Sequence, residues 1–124
     1  MANRIVWVDI PVRDLERAIA FYSAVLGAAV LRQAGPGFFH GLLPAEDGGV
    51  GGRLVRAGPD TPPGRTGPVV YLAVEGSLAR AVREATGRGG ELLQDIQPVG
   101  SHGWCALLLD CEGNRIALHA PANN

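Results

Sequence analysis

The chain has 124 residues, of which 47% are hydrophobic and 19% charged, with a formal net charge of -1. That length fits a single domain with a modest core, one that gains from a partner subunit, so a homodimer is expected. The near-neutral balance excludes the basic field that nucleic acid or anionic lipid demands, and equally the acidic excess that suits a polycationic ligand.

The opening Met1-Ala2-Asn3-Arg4 lacks the basic and apolar regions of a signal peptide, and no apolar run approaches the roughly 20 residues that span a bilayer. A cytoplasmic location with no membrane partner is the expectation. Ile5-Val6-Trp7-Val8-Asp9-Ile10 reads as a first strand. Asp14 is a good N-cap for the helix that follows, because its carboxylate accepts from the free N–H groups of the first turn. Leu15, Ala18, Ile19, Tyr22, Val25 and Leu26 recur at helical spacing before Gly27 stops the run, and Arg13, Glu16 and Arg17 stay wet. Short apolar segments come next, at 29–33, 37–43 and 51–55, separated by turn residues.

Residues 57–68 hold too many prolines and glycines for a helix or a central strand and read as a linker. The first pattern then returns. Val69 to Val74 forms a strand, and Ser77 caps a helix with Leu78, Ala81, Val82 and Ala85 on its buried stripe. Further strands are expected at 91–96, 103–109 and 115–119. Cys105 falls in one of these and Cys111 in a tight turn. With no Cys-x-x-Cys pair, both read as free thiols.

The order β-α-β-β-β therefore occurs twice: an α+β chain of two tandem modules, about 1–56 and 69–121, in a single domain over 1–124. Trp7 and Tyr71 stand at equivalent places near the start of each copy, 64 residues apart, a period too long for a solenoid. Gly48-Gly49-Val50-Gly51-Gly52 does not make a phosphate loop, because it lacks the Lys-Ser/Thr pair and leads into a strand. A sharp turn or a close backbone approach explains it.

The run from Asp9 through Asp14-Leu15-Glu16-Arg17 and Phe21-Tyr22 to Gly27, with the later Asp110-Cys111-Glu112-Gly113-Asn114-Arg115-Ile116-Ala117-Leu118-His119, resembles the vicinal oxygen chelate superfamily. That superfamily includes glyoxalase I, extradiol dioxygenases, fosfomycin-modifying enzymes and bleomycin-binding proteins. The resemblance implies that each module curls into a half-barrel and that two modules form a cupped sheet with the site on its concave face. It also implies metal-ligand positions on the first and last strand of each module, here Trp7, Arg53, Tyr71 and Ala117 at the same offset of 64. None of these is a good ligand for a divalent metal, which wants imidazole or carboxylate donors, so no metal cofactor is expected.

Other residues of the cup have two readings each. Strand alternation puts Asp9 on the face of Trp7, and His119 on the face of Ala117. Asp9 and His119 either form a proton-transfer couple or a structural hydrogen bond. Arg53 either points into the cup, where it would take a carboxylate or phosphate, or slips by one residue to solvent. Trp7 and Tyr71 are stacking faces or plain core. His102 and Trp104 sit where a loop rims the cup and either cover ligand or cap the core, while His40 reads as a surface or packing histidine. Three functions follow. The first is a metal-free binder of a planar or anionic compound. The second is a metal-independent isomerase, cyclase or lyase using Asp9 and His119. The third is a metal-dependent glyoxalase-like lyase or dioxygenase with Asp9, His102 and His119 as ligands.

Overall fold

In a computed structural model, which describes residues 3–123, the elements run β1 (Trp7–Val12), α1 (Leu15–Leu26), β2 (Leu31–Gly35), β3 (Phe38–Leu42), β4 (Gly51–Arg56), β5 (Val70–Ala73), α2 (Leu78–Gly87), β6 (Glu91–Pro98), β7 (Trp104–Leu109) and β8 (Arg115–Ala120). The caps are those the sequence predicts: the Asp14 side chain accepts from the Arg17 N–H, the Ser77 side chain from that of Arg80, and Gly27 closes α1 at φ 73. That left-handed value suits glycine, which has no Cβ to clash.

The strands form two four-stranded sheets of like order, β1-β4-β3-β2 and β5-β8-β7-β6. In each, the first and last strands of the module run parallel and the rest antiparallel, so β1 and β5 are edge strands. Helices cover one face of both sheets. Alternation sends Ile10, Val12 and Leu54 of the first sheet, and Leu108, Ile116 and Leu118 of the second, into one core with Leu15, Phe21, Tyr22, Val25 and Leu78. The α1 stripe is wider than its apolar spacing suggests: Phe21 is buried and Ile19 only partly so.

Polar groups weld the modules along this covered side. Tyr22 Oη donates to Asp110, whose carboxylate also accepts the Glu112 and Asn114 N–H groups and the Asn114 amide. Asn114 Nδ2 donates to the Pro11 carbonyl of β1 at 2.8 Å and its Oδ1 accepts from Gly64 N in the linker at 3.0 Å. At the start of α1 the Glu112 carboxylate accepts the Arg13 and Asp14 N–H groups and pairs with Arg17. At its end the Arg80 guanidinium donates to the Ala24 and Val25 carbonyls. An anion at the N-terminus and a cation at the C-terminus are what the helix dipole favours. One helix of module one is thus held at both ends by module two.

Candidate functional site

The opposite face of the first sheet is uncovered, and a polar and aromatic cluster stands on it. Trp7 and Asp9, two residues apart on β1, share that face, and Asp9 lies opposite Arg53 of β4 in the parallel ladder. Asp9 Oδ1 accepts from Trp7 Nε1 at 2.8 Å and from Arg53 Nε at 2.9 Å, while Oδ2 meets Arg53 Nη2 at 3.4 Å. The hydrogen bond from Arg53 holds the Asp9 carboxyl below the usual carboxylate range, against partial burial and with help from Trp7. Arg53 therefore faces this open surface and not solvent on the far side.

Gly51 lies opposite Trp7 and explains how the indole is seated. A Cβ at Gly51 would stand 3.0 Å from Trp7 Cζ3, so the ring rests against a strand surface that only glycine leaves free. Its outer side is accessible, Trp7 being 48% exposed. Phe38 of β3, 40% exposed, has its ring centroid 6.0 Å from Arg53 Cζ. His40 lies next along the same strand face, 6.2 Å from the Phe38 ring, and its buried Nδ1 has no partner. Phe38 is a site neighbour that the sequence did not single out, and His40 one that it read as a surface or packing histidine. The period-2 run through β3 carries the signal that would have found Phe38, since it shares a face with Leu42, which lies opposite Arg53.

Between the edges of β1 and β5 runs a groove of about 890 Å³, lined by Trp7, Asp9, Gly51, Val69, Tyr71 and Ala73 among others. Tyr71, 58% exposed, is therefore a groove residue and not core. Trp7 belongs to both the groove and the open face.

The second sheet bears less of the expected chemistry. His119 lies opposite Ala73 on one side and Cys105 on the other, and its Nε2–H donates to the backbone carbonyl of His102. Asp9 and His119 are in different sheets, since β1 pairs with β4 and β8 with β5 and β7, and each has other partners. The expected Asp9–His119 couple is thus not formed among the described residues. Trp104, for which the sequence left covering ligand or capping the core open, packs against the core on the helix side, in alternation with buried Ala106 and Leu108. His102 is exposed and gives its carbonyl, not its ring, to His119. Both cysteines are free, and burial, reinforced by the nearby Asp110 charge, pushes the Cys111 thiol up to about 11.

The two ladders also correct the alignment of the modules. Arg53 lies opposite Asp9, whereas Ala117 lies opposite Tyr71. With Arg53 and Ala117 equivalent, Tyr71 is the counterpart of Asp9 at an offset of 62, and Trp7 is the counterpart of Val69. The buried strand ends agree, Val12 answering to Val74 at the same offset. Under either alignment the four positions supply indole, guanidinium and methyl groups with a phenol or an isopropyl, a set that does not fit a divalent metal. Among the described residues no three of His, Cys, Asp and Glu are placed to hold one. Nor is any helix among them long and apolar enough to cross a membrane.

Comparison with known proteins adds a family to this geometry. The sequence profile of the Glyoxalase/Bleomycin resistance protein/Dioxygenase superfamily matches residues 4–118. Among solved structures, a glyoxalase/bleomycin resistance protein from Albidiferax ferrireducens T118 superposes with a TM-score of 0.71 at 18% identity, covering 94% of this chain and 98% of that one. TnmS3, an antibiotic binding protein from Streptomyces sp. CB03234, superposes with a TM-score of 0.69 at 24% identity over 100% and 99% of the two chains. The V278E variant of glyoxalase I from Zea mays superposes with a TM-score of 0.67 at 22% identity over 94% of this chain but 45% of its own. At such identities these likenesses establish the fold alone. No curated protein sequence matches.

Proposed function

Because the chain belongs to the glyoxalase/bleomycin resistance protein/dioxygenase superfamily, we propose that it binds a small organic molecule on its uncovered sheet face, and is not one of the metal-dependent enzymes of that family. The observation that carries this reading is the donor set. The positions that would hold a metal offer Trp7, Arg53 and Ala117 with Val69 by the ladders, or Tyr71 by the offset of 64, and the face around them presents rings and one ion pair. Aromatic faces and a guanidinium are the groups that hold planar or anionic organic compounds. The antibiotic-binding neighbour with the same fold supports the class of ligand by analogy only.

The test is a binding screen of planar and anionic compounds by calorimetry, with recovery of each ligand afterwards. A compound that binds, returns unchanged and loses at least about tenfold in affinity on Trp7→Ala meets the expectation, tenfold being about 1.4 kcal/mol. Steady conversion of the bound compound contradicts it.

We further propose a cytoplasmic homodimer. Ile5, Val6 and Val50 are exposed apolar residues beside the free edge of β1, and such edges invite pairing, while Trp7 and Tyr71 are left to the ligand. Light scattering at micromolar concentration is expected to give twice the chain mass; a monomer contradicts the dimer.

A further inference from the structure

We infer that the ligand is a planar aromatic monoanion, its ring lying on the Trp7 indole and its carboxylate on the free edge of the Arg53 guanidinium, with Asp9 as the positioning residue for both. This rests on the ligand-binding reading above and narrows it from a planar or an anionic compound to one that is both.

The argument starts at a single oxygen. Asp9 Oδ1 accepts from Trp7 Nε1 and from Arg53 Nε, at 2.8 and 2.9 Å. One acceptor for both donors sets the indole and the guanidinium side by side on the open face, so a planar ligand that lies on the ring and extends past Asp9 meets the guanidinium next.

Each partner is left with one usable surface. Asp9 takes the Nε side of the guanidinium, with Nη2 at 3.4 Å. The terminal edge, Nη1 and the remaining Nη2 hydrogen, is still free to give two parallel hydrogen bonds to a carboxylate. The indole has its N–H committed to Asp9 and one side against Gly51, where a Cβ would come within 3.0 Å, so only its outer side can stack. Phe38, on the next strand beyond Arg53, continues the apolar surface.

Donor geometry sets the count. The Asp9 carboxylate offsets the Arg53 charge, so an anionic group is held by the parallel N–H donors of the free edge and not by net charge, and a second anionic group would face the Asp9 carboxylate. Arg32, the other guanidinium of this sheet, lies over the Phe39 ring and pairs with Glu16. Phe39 alternates with Phe38, so Arg32 is on the opposite face and adds nothing to the open one.

The experiment is a calorimetric titration of the wild-type protein with four probes: 2-naphthoate, 2-naphthalenemethanol, cyclohexanecarboxylate and 2,6-naphthalenedicarboxylate. The first should bind at least about tenfold more tightly than the other three, and Arg53→Gln should remove that advantage without weakening the alcohol. Asp9→Asn gives the decisive direction. It raises the local charge by one, so a purely electrostatic role predicts tighter naphthoate binding, whereas loss of positioning predicts weaker binding despite the added charge. We expect weaker binding by about threefold or more, with the Trp7 indole N–H resonance of the free protein displaced. An equal affinity for the alcohol, or naphthoate binding that ignores Arg53→Gln, overturns the anchor but leaves a ligand-binding cup. Tighter binding by Asp9→Asn overturns the positioning role. Failure of all four probes overturns the anchor, while the broader screen still decides whether the cup binds other compounds.

Discussion

Asp110 and Asp9 are both aspartates with several hydrogen-bond partners, but they sit on opposite sides of the same architecture. Asp110 is 2% exposed and accepts from Tyr22, from Asn114 and from two backbone N–H groups along the seam between the modules. The Asp9 side chain is 45% exposed and holds one indole and one guanidinium on an uncovered sheet. A buried acceptor whose every neighbour depends on it is a structural element, because its removal strands donors away from water. A half-exposed acceptor that orients two large side chains contributes little to stability and much to the shape of a surface. The difference separates what holds the modules together from what they are held together to present.

The contrast is broken most directly at those two positions. Asp110→Ala leaves the Tyr22 hydroxyl and the Glu112 and Asn114 backbone N–H groups without their acceptor and should cost about 3 kcal/mol or more in urea unfolding. Asp9→Ala should stay within about 1 kcal/mol of wild type by the same measurement. Comparable losses at the two sites would erase the distinction. A middle-sized effect is expected at the start of α1, where Glu112→Gln should cost about 1 kcal/mol by weakening the cap.

Glu112 also carries a pH signature. Burial pushes its carboxyl up, but the Arg13 and Asp14 N–H groups and Arg17 together outweigh burial and hold it below its ordinary value of 4.5. A carboxyl lowered in the folded state stabilises fully above its unfolded value and loses that contribution as pH falls through the folded one. Wild-type stability should therefore fall more steeply than that of Glu112→Gln as pH drops below about 4.5. Parallel curves for the two proteins would show that the clamp contributes nothing. The smallest effect is at Gly51→Ala, where the added methyl displaces the exposed indole. Unfolding should move by less than about 0.5 kcal/mol while Trp7 fluorescence and affinity for planar ligands change; an unchanged indole would mean that Gly51 does not seat it.

Much of the architecture was legible because it is local. Asp14, Ser77 and Gly27 announce the helix ends through hydrogen bonds a few residues long, and the proline-rich linker excludes regular structure by itself. Alternation also put Trp7 and Asp9 on one face, while Arg53 was left between the cup and solvent. Register was not legible. Sliding one strand by two residues returns every side chain to the same face, so alternation cannot distinguish Trp7 from Asp9 as the counterpart of Tyr71. Trp104 kept two readings for a related reason: Trp104-Cys105-Ala106-Leu107-Leu108-Leu109 is apolar on both faces, and no polar residue marks which one meets the helices. The partner of Asp9 depends on which strand lies beside β1, a long-range fact that brings in Arg53 and leaves His119 in the other sheet.

The central claim is that the uncovered face is an organic-ligand site and not a metal centre. Protein purified without chelator should be analysed for bound metal, and its thermal unfolding followed during titration with nickel, zinc, manganese and ferrous ions. The account predicts metal far below one per chain and an unmoved midpoint. A metal near one per chain, lost on Asp9→Asn or His119→Ala, would contradict it.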